Sequence, residues 1–144
     1  PAVELAAENA ALNGLEEKII FRKEDAERIL EAASRKELPE QPDFILLDPP
    51  NMVRSKKNLN QAARLLVRLN AQALSALPEG GLLAVSSCSH HISREIFTDI
   101  LTQAAAKAGR RTILLELRSQ AKDHPILLNM PETEYLHFAL LRLQ

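Results

Sequence analysis

Two short stretches of this sequence carry side chains able to do chemistry. Asp48-Pro49-Pro50 follows the apolar run Phe44-Ile45-Leu46-Leu47, and Ser86-Ser87-Cys88-Ser89-His90 follows Leu82-Leu83-Ala84-Val85. Proline has no N–H and fixes φ, so the Pro49-Pro50 pair holds the chain rigid and leaves carbonyls as acceptors. A carboxylate beside such carbonyls could grip an amine or ring N–H of a planar substrate. A helix-cap Asp before a stiff turn would read the same way. Cys88 is the other candidate, as a nucleophile. An ordinary thiol titrates near 8.5, and cationic neighbours or a helix N-terminus lower that value. His90, His91 and the helix expected after Ser93 could supply both. Many cysteines are simply small buried hydrophobes; the place of Cys88, where its apolar run stops, is what favours chemistry.

The remaining candidates are more ambiguous. His90, His91, His124 and His137 lack a paired metal-ligand spacing, so no metal site is expected. Asp123-His124-Pro125 either lines a site or forms an Asp-capped turn. Asp25 is well placed as an N-cap, accepting from free backbone amides. Neither a GxGxxG loop nor a P-loop occurs, and Gly80-Gly81 reads as a turn. A protease or esterase is disfavoured, because there is no GxSxG elbow and Cys88-Ser89-His90-His91 is too contiguous for a triad.

Positioning these residues requires strands that end together. Continuous apolar runs suit strands buried on both faces of a parallel sheet, and ligands bind beyond the carboxyl ends of such strands. Around them the periodicity predicts helices over residues 2–13, 26–35, 59–77 and 93–108, and strands over 19–21, 112–117 and 135–143. Residues 51–58 and 119–133 read as loops. The order α-β-α-β-α-β-α-β-β implies an α/β three-layer fold: a mostly parallel sheet, right-handed crossovers and an antiparallel last strand.

Composition narrows the function classes. At 144 residues one domain is expected, with 46% hydrophobic and 26% charged residues, so disorder is unexpected. A net charge of −1 and the absence of Trp argue against a dedicated polyanion binder or a base-stacking platform. Positive charge is local, at Arg54, Lys56 and Lys57 and at Arg110 and Arg111. A single cysteine excludes an internal disulfide and fits a reducing, cytoplasmic compartment. No run reaches the roughly 20 apolar residues of a membrane span, and no signal-peptide pattern opens the chain. Position 1 falls inside a predicted helix, which reads as a cut in a longer chain.

Taken together in order, Glu8-Asn9-Ala-Ala-Leu-Asn13-Gly14, Glu24-Asp25-Ala26, Phe44-Ile-Leu-Leu-Asp48-Pro-Pro50, Gly80-Gly81, Ser87-Cys88-Ser89-His90, Asp123-His124-Pro125 and Pro131-Glu132-x-x-Tyr135-Leu136 carry a resemblance. The chain resembles the class I S-adenosylmethionine-dependent methyltransferases, which have a Rossmann-like three-layer fold. More narrowly, it is similar to the ribosomal RNA (23S) cytosine-C5 methyltransferases whose full-length members carry an N-terminal PUA domain. The resemblance implies that Asp25 and Ala26 lie near the cofactor adenine, and that Asp48 and Pro49 lie between cofactor and target base. It implies that Cys88 attacks C6 of cytosine, and that Pro50, Lys56, His90 and His124 meet the RNA. It further implies a chain truncated at its N-terminus, since the glycine-rich first motif and the acidic end of the second strand precede Pro1. Met52 stands where the family usually has an aromatic residue.

The expected function is therefore S-adenosylmethionine-dependent methylation of RNA, ribosomal by resemblance, giving 5-methylcytosine. The isolated chain is expected to be inactive and open to association with another copy. Two rivals stay open: an exocyclic-amine methyltransferase on adenine or guanine, which also uses Asp-Pro-Pro but needs no cysteine, and a non-catalytic RNA-binding module that keeps the fold.

Overall fold

A computed structural model of the chain describes residues 1–53 and 55–144. Arg54 and the side chain of Lys56, both named above, lie outside the described residues. The elements are α1 (Ala2–Leu12), α2 (Ala26–Ser34), β1 (Phe44–Leu47), α3 (Leu59–Ala76), β2 (Leu82–Ser87), α4 (Arg94–Ala108), β3 (Thr112–Arg118) and β4 (His137–Leu143). Single 3-10 turns occupy Lys56–Asn58 and Pro131–Thr133.

The helices form where the apolar spacing requires them. On α3, Ala62, Leu66, Leu69, Ala73 and Leu74 recur at helical intervals and are buried. On α4 the buried stripe is Phe97, Ile100, Leu101 and Ala104. Ser93 begins α4 by accepting from the Ile96 amide at 3.3 Å, and Gly109 ends it in the left-handed region at φ 62°. The turn before β2 depends on Gly81: a Cβ there would lie 2.9 Å from the Pro78 carbonyl oxygen, closer than real side chains come.

Among the described residues one sheet of four strands results, in the order β1-β2-β4-β3. β1 pairs parallel with β2, with Leu47 opposite Val85. β4 runs antiparallel between β2 and β3, with Ser87 opposite His137. Three strands thus share one direction and the last runs against them, as the strand order of the sequence implies. Helices α2, α3 and α4 pack side by side. Leu47, Leu83, Val85, Ala139 and Leu141 point into the same core as Leu74, Leu77 and Ile100. On the other sheet face Phe44 and Leu46 remain 49% and 64% exposed.

One expected element is absent. Ile19, Ile20 and Phe21 form no strand, and Ile20 is exposed. A strand is held by a neighbour's backbone groups, and among the described residues the edge strand β1 pairs only with β2. Without a partner the apolar run stays irregular.

Candidate active site

The site is built from two neighbouring strand ends. Asp48 is the first residue after β1 and Cys88 the first after β2. Because Leu47 faces Val85, Asp48 lies one residue and Cys88 three residues past the last parallel pair, on the same carboxyl edge. Asp48 is exposed, and its Oδ1 accepts a hydrogen bond from the Ser86 hydroxyl. That bond ties the Asp48 loop to β2. Pro49 is half-buried and Pro50 exposed. Beyond them Asn51 Oδ1 accepts from the Val53 amide at 3.0 Å, an Asx turn that buries Val53 and aims the chain toward α3.

Cys88 carries a free, half-buried thiol between the buried Ser87 and Ser89. Ser89 Oγ accepts from the His91 amide at 3.4 Å, turning the chain into α4. His90 faces out of this turn. Its Nδ1 lies 2.9 Å from the Glu132 carbonyl oxygen, and its ring centroid lies 5.3 Å from that of Tyr135. Tyr135 OH in turn meets His124 Nδ1 at 2.9 Å. Two sequence candidates from separate segments, His90 and His124, thus meet through a third aromatic residue.

A cleft of about 580 Å³ opens beside this turn, lined by His90, His91, Arg94, Glu132 and Glu134 among others. Its floor holds His137, buried, with Nε2 2.9 Å from the Ile92 carbonyl oxygen and Nδ1 without a partner among the described residues. Since a carbonyl only accepts, Nε2 carries the proton in this contact. At the mouth, the Ser93 hydroxyl and Glu95's own amide hold the Glu95 carboxyl below the usual carboxylate range. A larger cleft, about 700 Å³, runs between α3 and α4 over Ala63, Val67 and Ile100, and contains none of the motif residues.

Asp25 lies on no strand but at the start of α2. It caps α2, its Oδ1 accepting from the amides of Glu27 at 2.9 Å and Arg28 at 3.2 Å. The capping role read from the sequence is therefore present. Both bonds use the same carboxylate oxygen. Among the described residues no group of three or more His, Cys, Asp or Glu could hold a metal ion, and no helix is long and apolar enough to cross a membrane.

Sequence reasoning missed Ser86, Gln120 and the role of Tyr135. Ser86 reads as one of two serines at a strand end, and only the parallel register shows that it faces Asp48. Gln120 fixes the returning loop, donating to the Thr133 carbonyl at 2.5 Å and accepting from the Tyr135 amide at 3.3 Å. A lone Gln at the start of a loop carries no such signal.

Known proteins resemble this chain in sequence and in fold. The chain is 39% identical over 142 residues to a ribosomal RNA large subunit methyltransferase I of Aeromonas salmonicida, covering 98% of this chain and 35% of the relative. It spans about a third of the length of the curated relatives it matches. Among solved structures, the methyltransferase SMU.776 complexed with SAH superposes with a TM-score of 0.67 at 21% identity, over 83% of this chain and 30% of that one. TrmN from Thermus thermophilus superposes with a TM-score of 0.60 at 23% identity, over 98% and 33%. No family model matches. The four strands, their mixed order and these likenesses establish that the chain carries part of the Rossmann-like class I methyltransferase fold, similar over nearly its whole length to the ribosomal RNA large subunit methyltransferases I.

Proposed function

We propose that the protein containing this chain is an S-adenosylmethionine-dependent methyltransferase that forms 5-methylcytosine in ribosomal RNA, with Cys88 as its nucleophile. The observation that carries this reading is the shared carboxyl edge: Asp48, tied to β2 through Ser86, and Cys88 at the end of the same strand. The names of the relatives supply the RNA.

The residues fit part of a cofactor site. Asp25 at the cap of α2 and the Ala26 amide would take the adenine edge, and Asp48 with the Pro49 carbonyl would border the reacting end. When bound, S-adenosylmethionine supplies the methyl group. This chain's own residues do the rest. Cytosine C5 is a poor nucleophile until a thiolate adds to C6, which places enamine-like electron density on C5. Cys88 makes that bond. Asp48 and the rigid Pro49-Pro50 carbonyls hold the amine edge of the base, while Pro50, Lys56, His90 and His124 border the RNA. After the methyl group is in place, loss of the C5 proton expels the thiolate and restores the ring.

The test is a covalent trap. Fluorine at C5 cannot leave as a cation, so, once S-adenosylmethionine has methylated C5, RNA containing 5-fluorocytosine should hold the full-length protein in a complex that survives a denaturing gel. Cys88→Ala should abolish that complex. Methyl transfer that survives Cys88→Ala would favour an exocyclic-amine methyltransferase instead, and failure of the full-length protein to bind S-adenosylmethionine would favour a non-catalytic module.

A further inference from the structure

We propose that Tyr135, backed by His124 and Asp123, is the proton relay that takes the hydrogen from C5 of the target base; this rests on the cysteine-addition reading above. The first support is register. Ser87 faces His137 in the antiparallel β2–β4 pair. Cys88 therefore lies one residue beyond the last pair on β2, and Tyr135 two residues before it on the adjoining chain. The second is the row of side chains behind the phenol, one hydrogen bond followed by a longer approach of imidazole to carboxylate. Tyr135 OH lies 2.9 Å from His124 Nδ1, and His124 Nε2 lies 3.7 Å from Asp123 Oδ2. A tautomer with the proton on Nε2, beside the carboxylate, leaves Nδ1 to accept from the phenol. The third is support of the ring: Tyr135 packs on His90, itself anchored on the Glu132 carbonyl, and Gln120 accepts from the Tyr135 amide.

The stereochemistry of the reaction selects this side of the base. A thiolate bonds to C6 from one face, and the methyl group arrives at C5 from the other. The C5 hydrogen is then pushed onto the cysteine's face, so its acceptor must stand beside the cysteine. Tyr135 lies two residues before β4, the strand paired with β2, and its ring packs on His90, two residues past Cys88. Asp48 enters on the opposite neighbour, β1, with Oδ1 engaged by Ser86.

The step balances. The C5–H bond breaks and its proton goes to the Tyr135 oxygen, while the phenolic proton passes to His124 Nδ1. The C5–H electron pair becomes the C5=C6 bond, the C6–S bond breaks, and its pair returns to Cys88 as thiolate. The imidazolium left on His124 faces the Asp123 carboxylate. General acid–base groups of this kind typically contribute about 10²–10⁴-fold.

Tyr135→Phe keeps the ring against His90 and removes only the oxygen, so a folded variant is expected; His124→Ala is the second variant. The full-length protein is given RNA carrying tritium at cytosine C5, without S-adenosylmethionine. Reversible addition of Cys88 lets C5 exchange its hydrogen with water, and both variants should slow tritium release by roughly 10²-fold or more. With S-adenosylmethionine and ordinary cytosine RNA, both should accumulate a methylated protein–RNA adduct on a denaturing gel that the unaltered protein does not. Exchange at the original rate, or lost methylation without an adduct, would overturn the relay while trapping on 5-fluorocytosine RNA still stands. Absence of Cys88-dependent trapping by the unaltered protein would remove the cysteine reading and the relay together.

Discussion

The hydroxyl of Ser86 donates to Asp48 Oδ1 across the parallel pair of β1 and β2. The bond joins the loop that would hold the target base to the strand that delivers Cys88, and so fixes their separation.

Ser86→Ala should therefore misplace Asp48 without removing it. Bonds to a charged group are worth about 1.5–3 kcal/mol when sheltered, and Asp48 is exposed, so the expected loss is nearer tenfold. It should appear in the single-turnover methylation rate of the full-length protein, with RNA affinity little changed. A variant as fast as the original would show that another contact sets the loop.

Leu83 is fully buried at the centre of the sheet, opposite Ile45 on one side and Leu141 on the other. Leu83→Ala leaves a cavity beneath both site-bearing strands and should cost about 2–5 kcal/mol. Urea unfolding would read this as a lowered midpoint at unchanged slope.

At the start of α4, Ser93→Ala removes the cap and should cost about 0.5–2 kcal/mol. It should also release Glu95, whose carboxyl the Ser93 hydroxyl holds low. A depressed carboxyl stabilises the fold above its unfolded pKa and loses that contribution as pH falls through its folded value. The variant's stability should consequently fall less steeply below about pH 4.5 than the original's, measured by urea unfolding across that range.

The 144-residue chain expressed alone should bind S-adenosylmethionine weakly and should associate. The chain spans about a third of the length of its curated relatives; Asp25, Ala26 and Asp48 would supply only part of the proposed cofactor site, and two charge-assisted bonds fewer at roughly 1.5–3 kcal/mol each would lower affinity by about two to four orders of magnitude. Phe44 and Leu46 are exposed on β1, an edge strand among the described residues, and such edges recruit other chains. Calorimetric titration and light scattering check the two halves; micromolar one-to-one binding by a monomer would contradict both.

What was legible in the sequence followed the range of the forces involved. The stripes of α3 and α4, the Ser93 cap and the Gly109 stop act within a few residues, and each lies where the pattern puts it, with ends shifted by a residue or two. Asp48 and Cys88 were legible because each stands where an apolar run breaks. The segment 19–21 misled because its residues favour a strand, while strand formation depends on a partner elsewhere. Ser86 and Tyr135 became informative only through the fold: the first by facing Asp48 in the parallel register, the second by packing on His90 and reaching His124.

The reversed direction of β4 bears on how such a site could be altered. Its neighbours leave the sheet at the reactive edge, and β4 enters there. The segment 119–136 is consequently moored at both ends beside the same opening, while α3, α4 and the strands beneath them keep their own packing. Exchanging that segment between relatives should transplant substrate preference as a cassette and leave the scaffold unchanged.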